Sequence, residues 1–388
     1  MLKTQTLCYH SKLNMSSIGE ILKKYSNLLP LACPAVAADK GGAGDLNHLD
    51  IELIISNVIN KPREFVLAHP EYKLNKFQIS NFKFQISRRM RGEPLAYILG
   101  EKEFYGLEFK VNKSALIPRP ETELMVEEAV NYIRKQKAES KKQNFIFIDV
   151  GTGSGCIIVT LAKLLKKKKS DFGYPKSDFI VKNYEFIGID ISRAAIEVAR
   201  QNAKFHKVDK QIKFIRGNLL TPFLQDIKNK KLEIRNCKLI IAANLPYLTP
   251  AQIKNSPSIQ HEPKLALAAG RDGLKYYRQL FKQIKTFVKF LSAVALAKEG
   301  ALNSRIFVIC EIDPSQTIKI KKIIKTEFPK IKIYPVESRL KSGAQSAFNR
   351  VKKDLKGLNR LVITEIDYNK HLFLKSTRNS RHSYAPFV

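Results

Sequence analysis

Phe145-Ile146-Phe147-Ile148-Asp149-Val150-Gly151-Thr152-Gly153-Ser154-Gly155 is an apolar run closed by an acid and three alternating glycines, and a second apolar run follows from Cys156 to Leu165. A short continuous apolar stretch bounded by glycine reads as a strand buried on both faces. Glycines at alternate positions leave the main chain without Cβ atoms where it turns from strand into helix, so a ligand can approach the backbone closely. The spacing differs from the G-x-G-x-x-G of dinucleotide binders. Outward from this stretch, strand-like runs at Glu185 to Ile189, Ile212 to Ile215, Leu239 to Ala243, Ile306 to Ile312 and Leu361 to Ile363 alternate with helical patterns. That alternation predicts an α/β fold built on a doubly wound sheet. Two late strands near the C-terminus fit a hairpin at the sheet edge.

Upstream the pattern changes. Ile18, Ile21, Leu22 and Tyr25 fall at helical spacing, as do Leu49, Leu53, Ile54 and Val58, while residues 30 to 45 are rich in Ala, Gly and Pro and read as a loop insertion. Lys76-Phe77-Gln78-Ile79-Ser80 recurs seven residues later as Lys83-Phe84-Gln85-Ile86-Ser87, too short a repeat for a solenoid and read as an expanded helix or linker. Alternation around Gly106 predicts a short hairpin, a hinge between domains. The expected organisation is a helical domain over 1–91, a hairpin linker over 92–115 and a second domain over 116–366. That domain carries a basic insertion at 166–182, and a loose polar tail follows at 367–388.

With 388 residues, 44% of them hydrophobic, the chain can form a real core in two domains. The net charge of +33 favours an anionic partner such as RNA or a ribonucleoprotein, although lysines spread along the chain give the same total in any Lys-rich proteome. Cys8, Cys33, Cys156, Cys237 and Cys310 lie far apart without a metal-ligand spacing, which argues for reduced thiols in a cytoplasmic protein and against a zinc site or disulfide framework. No apolar run reaches about 18 residues. Neither membrane insertion nor export is expected, no metal is expected, and a monomer is.

The glycine stretch also matches the Asp/Glu-x-Gly-x-Gly-x-Gly loop of S-adenosylmethionine methyltransferases, so Gly151, Thr152, Gly153, Ser154 and Gly155 are candidate cofactor residues. An acid ending the second strand is then needed to accept from two ribose hydroxyls, and Asp190 fits. It lies 35 residues after Gly155, and the insertion accounts for the excess over the usual spacing of about 20. After the third strand, Asn218 and Leu219 stand where adenine is held. An Asn in place of the usual Asp accepts without charge and suggests weaker adenine binding. Asn244-Leu245-Pro246-Tyr247, directly after an apolar run, is either an ordinary Asn-x-Pro turn or a pocket for a planar nitrogen. A nitrogen with a delocalised lone pair is a poor nucleophile, and its protons must be held by acceptors such as an Asn side chain and a main-chain carbonyl.

Over about residues 46 to 364 the chain resembles the release factor glutamine methyltransferases, the PrmC/HemK family. The resemblance is carried by the block from Gly92 to Gly100, by Phe104-Tyr105-Gly106, by Leu116-Ile117-Pro118-Arg119-Pro120-Glu121-Thr122-Glu123 and by Asn244 to Tyr247. Glu262-Pro263 through Leu267, Gly270 to Leu274 with Tyr277-Arg278, Glu311-Ile312 and Gly357 to Arg360 add to it. It implies a helical domain that grips the protein substrate, a hairpin hinge and a Rossmann-like S-adenosylmethionine-dependent methyltransferase domain. The implied reaction is N5-methylation of the glutamine in the Gly-Gly-Gln loop of peptide chain release factors, with nucleic acid met only indirectly. By position, residues 151 to 155 line the methionine end of the cofactor, Asp190 takes the ribose, Leu219 flanks the adenine, and Asn244 to Tyr247 hold the glutamine amide.

Leu245 departs from the family's usual Asn-Pro-Pro-Tyr. Asn-Leu-Pro-Tyr is more typical of rRNA adenine dimethyltransferases. The exchange keeps the carbonyl but adds an N–H that must find a partner. Arg119 and Glu121 either cap the next helix or, by resemblance, shape the substrate pocket. Competing readings are a glutamine methyltransferase of a large-subunit ribosomal protein, a nucleic-acid adenine N6-methyltransferase and a binding protein that retained the fold.

Overall fold

The computed structural model describes residues 17–27, 46–139, 144–166, 184–229, 237–297, 305–335 and 360–367. The loop expected at 30–45, nearly all of the basic insertion and of the tail, and Cys8 and Cys33 lie outside them. Two compact units are present, one within Met1–Leu99 with Pro257–His261 and the other within Gly100–Ser256 and Glu262–Val388.

The first unit is helical. Its helices Ile18–Ser26, His48–Ile59 and Lys76–Met90 each open on a capping box, from Ser17 and Glu20, Asn47 and Asp50, and Asn75 and Gln78. In the second of these the buried stripe is Ile51, Ile54, Ile55 and Ile59, while Leu49 is 45% exposed. The segment is apolar nearly all round, so spacing alone did not identify its inner face. Both copies of the Lys-Phe-Gln-Ile-Ser repeat lie within Lys76–Met90. Seven residues make about two turns, so Phe77 and Phe84 share the solvent side while Ile86 enters a core with Ile54, Val66 and Phe82.

The second unit opens with strands β1 (Glu101–Phe104) and β2 (Leu107–Lys110). Tyr105 and Gly106 both take positive φ between them, as a tight hairpin turn requires. Seven strands then form one sheet: β3 (Asn144–Val150), β4 (Tyr184–Asp190), β5 (Ile212–Arg216), β6 (Cys237–Ala243), β7 (Arg305–Glu311), β8 (Lys332–Pro335) and β9 (Leu361–Asp367). Their order is β5-β4-β3-β6-β7-β9-β8. Strands β3 to β7 are mutually parallel, β9 is antiparallel to β7, and β8 is antiparallel to β9 at the edge. The α/β fold is Rossmann-like.

Side chains of β3 alternate between two cores, as strand geometry demands. Ile146, Ile148 and Val150 join Tyr277, Phe281 and Ile284 of helix Lys275–Ala297 on one side. Phe145 and Phe147 join Met125, Ala129, Ile158 and Ala162 on the other, together with Phe104 and Phe109 of the hairpin. The chain winds from β3 to β4 and β5 in one direction and to β6 and β7 in the other. A crevice therefore opens beyond the carboxyl ends of β3 and β6, where open α/β sheets place ligands. Among the described residues, no helix is long and apolar enough to cross a membrane.

Candidate active site

The glycine stretch turns the carboxyl end of β3 into helix Cys156–Lys166. Gly151, Gly153 and Gly155 take φ of 76°, 55° and 79°, a region that strains any residue with a Cβ. The N–H groups of Gly151 and Thr152 donate to the Ile189 carbonyl at 2.8 and 3.0 Å, tying the turn to β4. Asp149 is fully buried and accepts from the Thr152 hydroxyl at 2.7 Å; burial pushes its carboxyl up to about 7.

One pocket in the second unit is lined by Gly151 to Ser154, Asp190, Asn218, Leu219, Asn244, Leu245, Pro246 and Arg119. It thus brings together most of the residues singled out above. Asp190 ends β4, and its carboxylate accepts the Gly153 N–H at 2.9 Å and the Ser192 N–H at 2.8 Å. Burial raises its pKa. Leu219 sits at φ 52°. Gly155 stands off the wall: a Cβ there would meet Ala199 Cβ at 3.1 Å, so this glycine lets helix Arg193–Phe205 approach the loop.

Tyr247 also lies off the lining. Its hydroxyl donates to Glu311 Oε1 at 3.4 Å, and burial, then the Glu311 charge, raises its pKa. Arg119 precedes the short 3-10 helix Pro120–Thr122 without a side-chain cap bond. Its guanidinium pairs instead with the buried Glu262 carboxylate, which also accepts the Ile117 N–H at 3.2 Å. Glu121 occupies the first turn of that helix, 4.0 Å from Arg360.

Several residues with direct bearing on the site carry no local signal. Asn244 Nδ2 donates to Thr122 Oγ1 at 3.0 Å and to Glu311 Oε2 at 3.1 Å. The Leu245 N–H finds the buried Tyr277 hydroxyl at 3.3 Å, and the Leu245 side chain would touch a Cβ on Gly151 at 3.1 Å. Asn202, fully buried, accepts the Lys110 N–H and donates to the carbonyls of Lys110 and Ser154, joining β2 to the glycine loop. An acid closing an otherwise apolar strand, as Glu311 does, is the one such feature visible in the sequence.

Residues 42–100 match the PrmC N-terminal domain and residues 141–304 match a methyltransferase domain. A release factor glutamine methyltransferase of Bacillus subtilis is 30% identical, over 82% of this chain and 91% of its own length. The chain belongs to the release factor glutamine methyltransferase family. A second member, from Coxiella burnetii, is 33% identical over 62% of this chain and 75% of its own length. A bifunctional methyltransferase of Rickettsia bellii is 31% identical over 69% of this chain, which spans about half (49%) of that relative. Among solved structures, the N-terminal domain of human METTL16 aligns at 14% identity and a TM-score of 0.38, over 87% of this chain and 97% of that one, too loosely to support any argument.

The cofactor of this domain is S-adenosylmethionine, and the pocket fits it. At Gly153 a Cβ would meet nothing nearer than the Gly151 carbonyl oxygen at 3.9 Å, so bare backbone faces open space there. Asp190 accepts the Gly153 N–H on one carboxylate oxygen and the Ser192 N–H on the other and lines the pocket, where a carboxylate can accept from a sugar hydroxyl.

Proposed function

We propose that this chain methylates the side-chain amide nitrogen of the glutamine in the Gly-Gly-Gln loop of peptide chain release factors. The observation that carries this reading is that Asn244 and Leu245 share one pocket with Gly151 to Ser154 and Asp190, so an amide-holding segment and the cofactor loop face the same space. The name borne by the Bacillus subtilis and Coxiella burnetii relatives supplies the substrate class.

When bound, S-adenosylmethionine supplies an electrophilic sulfonium methyl, and the sulfur keeps the electron pair of the bond that breaks. Asn244 through Oδ1 and Leu245 through its carbonyl accept the two amide protons and orient the nitrogen lone pair. Tyr247 supports this segment from behind, through its bond to Glu311. Arg119, fixed by Glu262, forms part of the wall. Because transfer disperses charge, orientation in a dry pocket contributes more than a strong base. The surplus nitrogen proton departs to solvent once the new N–C bond has formed. In this reading the helical unit grips the protein substrate.

The test is incubation with methyl-labelled cofactor and, separately, a release factor, large-subunit ribosomal proteins and naked rRNA. Label is expected in the release factor glutamine. Label confined to RNA or to a ribosomal protein overturns the reading.

A further inference from the structure

Glu311 closes β7 with its side chain 1% exposed, a costly place for a carboxylate unless donors converge on it. They do. Oε2 accepts from the Thr122 hydroxyl at 2.7 Å and from Asn244 Nδ2 at 3.1 Å, and Oε1 accepts from the Tyr247 hydroxyl at 3.4 Å. Asn244 Nδ2 donates a second time, to Thr122 Oγ1 at 3.0 Å.

The direction of these bonds follows from chemistry. An ionised carboxylate only accepts, so the Asn244 carboxamide can meet it only through its NH2 group. Thr122 has given its single proton to Glu311 and toward Asn244 can only accept. The amide orientation, elsewhere a matter of assignment, is set here by an acceptor-only partner. Thr122 Oγ1 and Glu311 Oε2 stand side by side and share the donation of the Asn244 NH2 group, and among the described residues Oδ1 has no partner.

We propose that Glu311 and Thr122 are positioning residues that lock the Asn244 carboxamide with Oδ1 toward the target, so that the site admits a nitrogen bearing hydrogens to donate and disfavours one that presents only an acceptor. The proposal rests on the reading of Asn244 as the holder of the target nitrogen. A negative charge behind the NH2 group also polarises the amide and strengthens Oδ1 as an acceptor while positive charge arrives at the target nitrogen. Burial, and after it the Glu121 charge, raise the Glu311 carboxyl to about 7 against the lowering effect of the Thr122 hydroxyl, Arg360 and the Tyr247 hydroxyl. Cys156 and Tyr277 are the other titratable groups that feel its charge. Protonation makes Glu311 a donor on one oxygen and opens the lock.

The test uses the full chain and the isosteric variants Glu311→Gln and Thr122→Val, with Thr122→Ser as the conservative control. Side-chain amide signals of Asn244, identified by their loss in Asn244→Ala, are followed by NMR without substrate. In Glu311→Gln they are expected to shift and their hydrogens to exchange on the order of 10-fold faster, each lost contact being worth about 1.4 kcal/mol or more. With release factor, kcat is expected to fall at least roughly 10-fold in Glu311→Gln and Thr122→Val. Thr122→Ser is expected to recover most of it, and cofactor affinity by calorimetry to stay level. The wild-type rate at saturating cofactor is expected to fall below about pH 7, and Glu311→Gln to lose that limb. Unchanged Asn244 signals, or unchanged kcat and pH profile, overturn the lock. Shifted signals in a chain that labels no release factor support the lock and overturn the substrate reading alone.

Discussion

At position 245 a leucine stands where the family's tetrapeptide usually has proline, and the exchange adds a buried N–H to the most crowded part of the site. An unpaired N–H there costs about 1–3 kcal/mol. Tyr277 meets it: its hydroxyl accepts from Leu245 and directs its own proton to the Glu311 carbonyl. Tyr277→Phe is therefore expected to lower unfolding stability by about 1–3 kcal/mol in urea titrations. Adding Leu245→Pro, which removes the N–H, should restore part of that loss, and strict additivity of the two changes would refute the pairing. Asn244→Ala should reduce methyl transfer by roughly 10²- to 10³-fold, and near-normal turnover would remove Asn244 from its assigned role. The glycine turn between strand and helix and the place of Asp190 at a strand end are legible because strand, turn and helix follow each other in sequence. Thr122 and Glu311 stand in motifs of the family, but their meeting with Asn244 across 122 and 67 residues is recorded by no local pattern.

Among the elements, the strands from β3 to β7 were legible from apolar runs, and the hairpin from alternation about Gly106. β8 (Lys332–Pro335) has no such signature, being four residues long and half charged or proline, and among the described residues it pairs with β9 alone. Strand order has no one-dimensional signature either. The junction between β2 and helix Arg193–Phe205 is equally silent in sequence, yet Asn202 makes a three-way bond there with Lys110 and Ser154. Asn202→Ala removes this partner from the part-buried Lys110 groups and from the buried Ser154 carbonyl. It should cost about 2 kcal/mol or more and, by loosening the loop at Ser154, weaken cofactor binding roughly 10-fold. Calorimetry showing unaltered cofactor affinity would limit Asn202 to a structural role.

For the whole molecule, two buried acids among the described residues tie stability to pH with a definite sign. Asp149 and Glu311 titrate from ordinary values of 3.8 and 4.5 when unfolded to about 7 when folded. The folded chain therefore keeps protons that the unfolded chain has released between about pH 4 and 7. Their contribution is fully present below that window and is lost as pH rises through it, by up to about 1.4 kcal/mol per pH unit for each group. Denaturation series without cofactor should show this decline, and Asp149→Asn or Glu311→Gln should each flatten it. Equal slopes in wild type and variants would contradict the assignment.

The Leu245 side chain lies so close to the Gly151 turn that a Cβ there would meet it at 3.1 Å, so in the proposed reading the segment that holds the target and the loop that holds the cofactor cannot shift independently. Thermodynamic linkage then requires reciprocity: whatever factor the cofactor adds to the affinity for the protein substrate, the substrate returns to the cofactor. Trimming the contact with Leu245→Ala should shrink both factors together, so the enzyme would bind each ligand alone nearly as before and lose its preference for holding the pair.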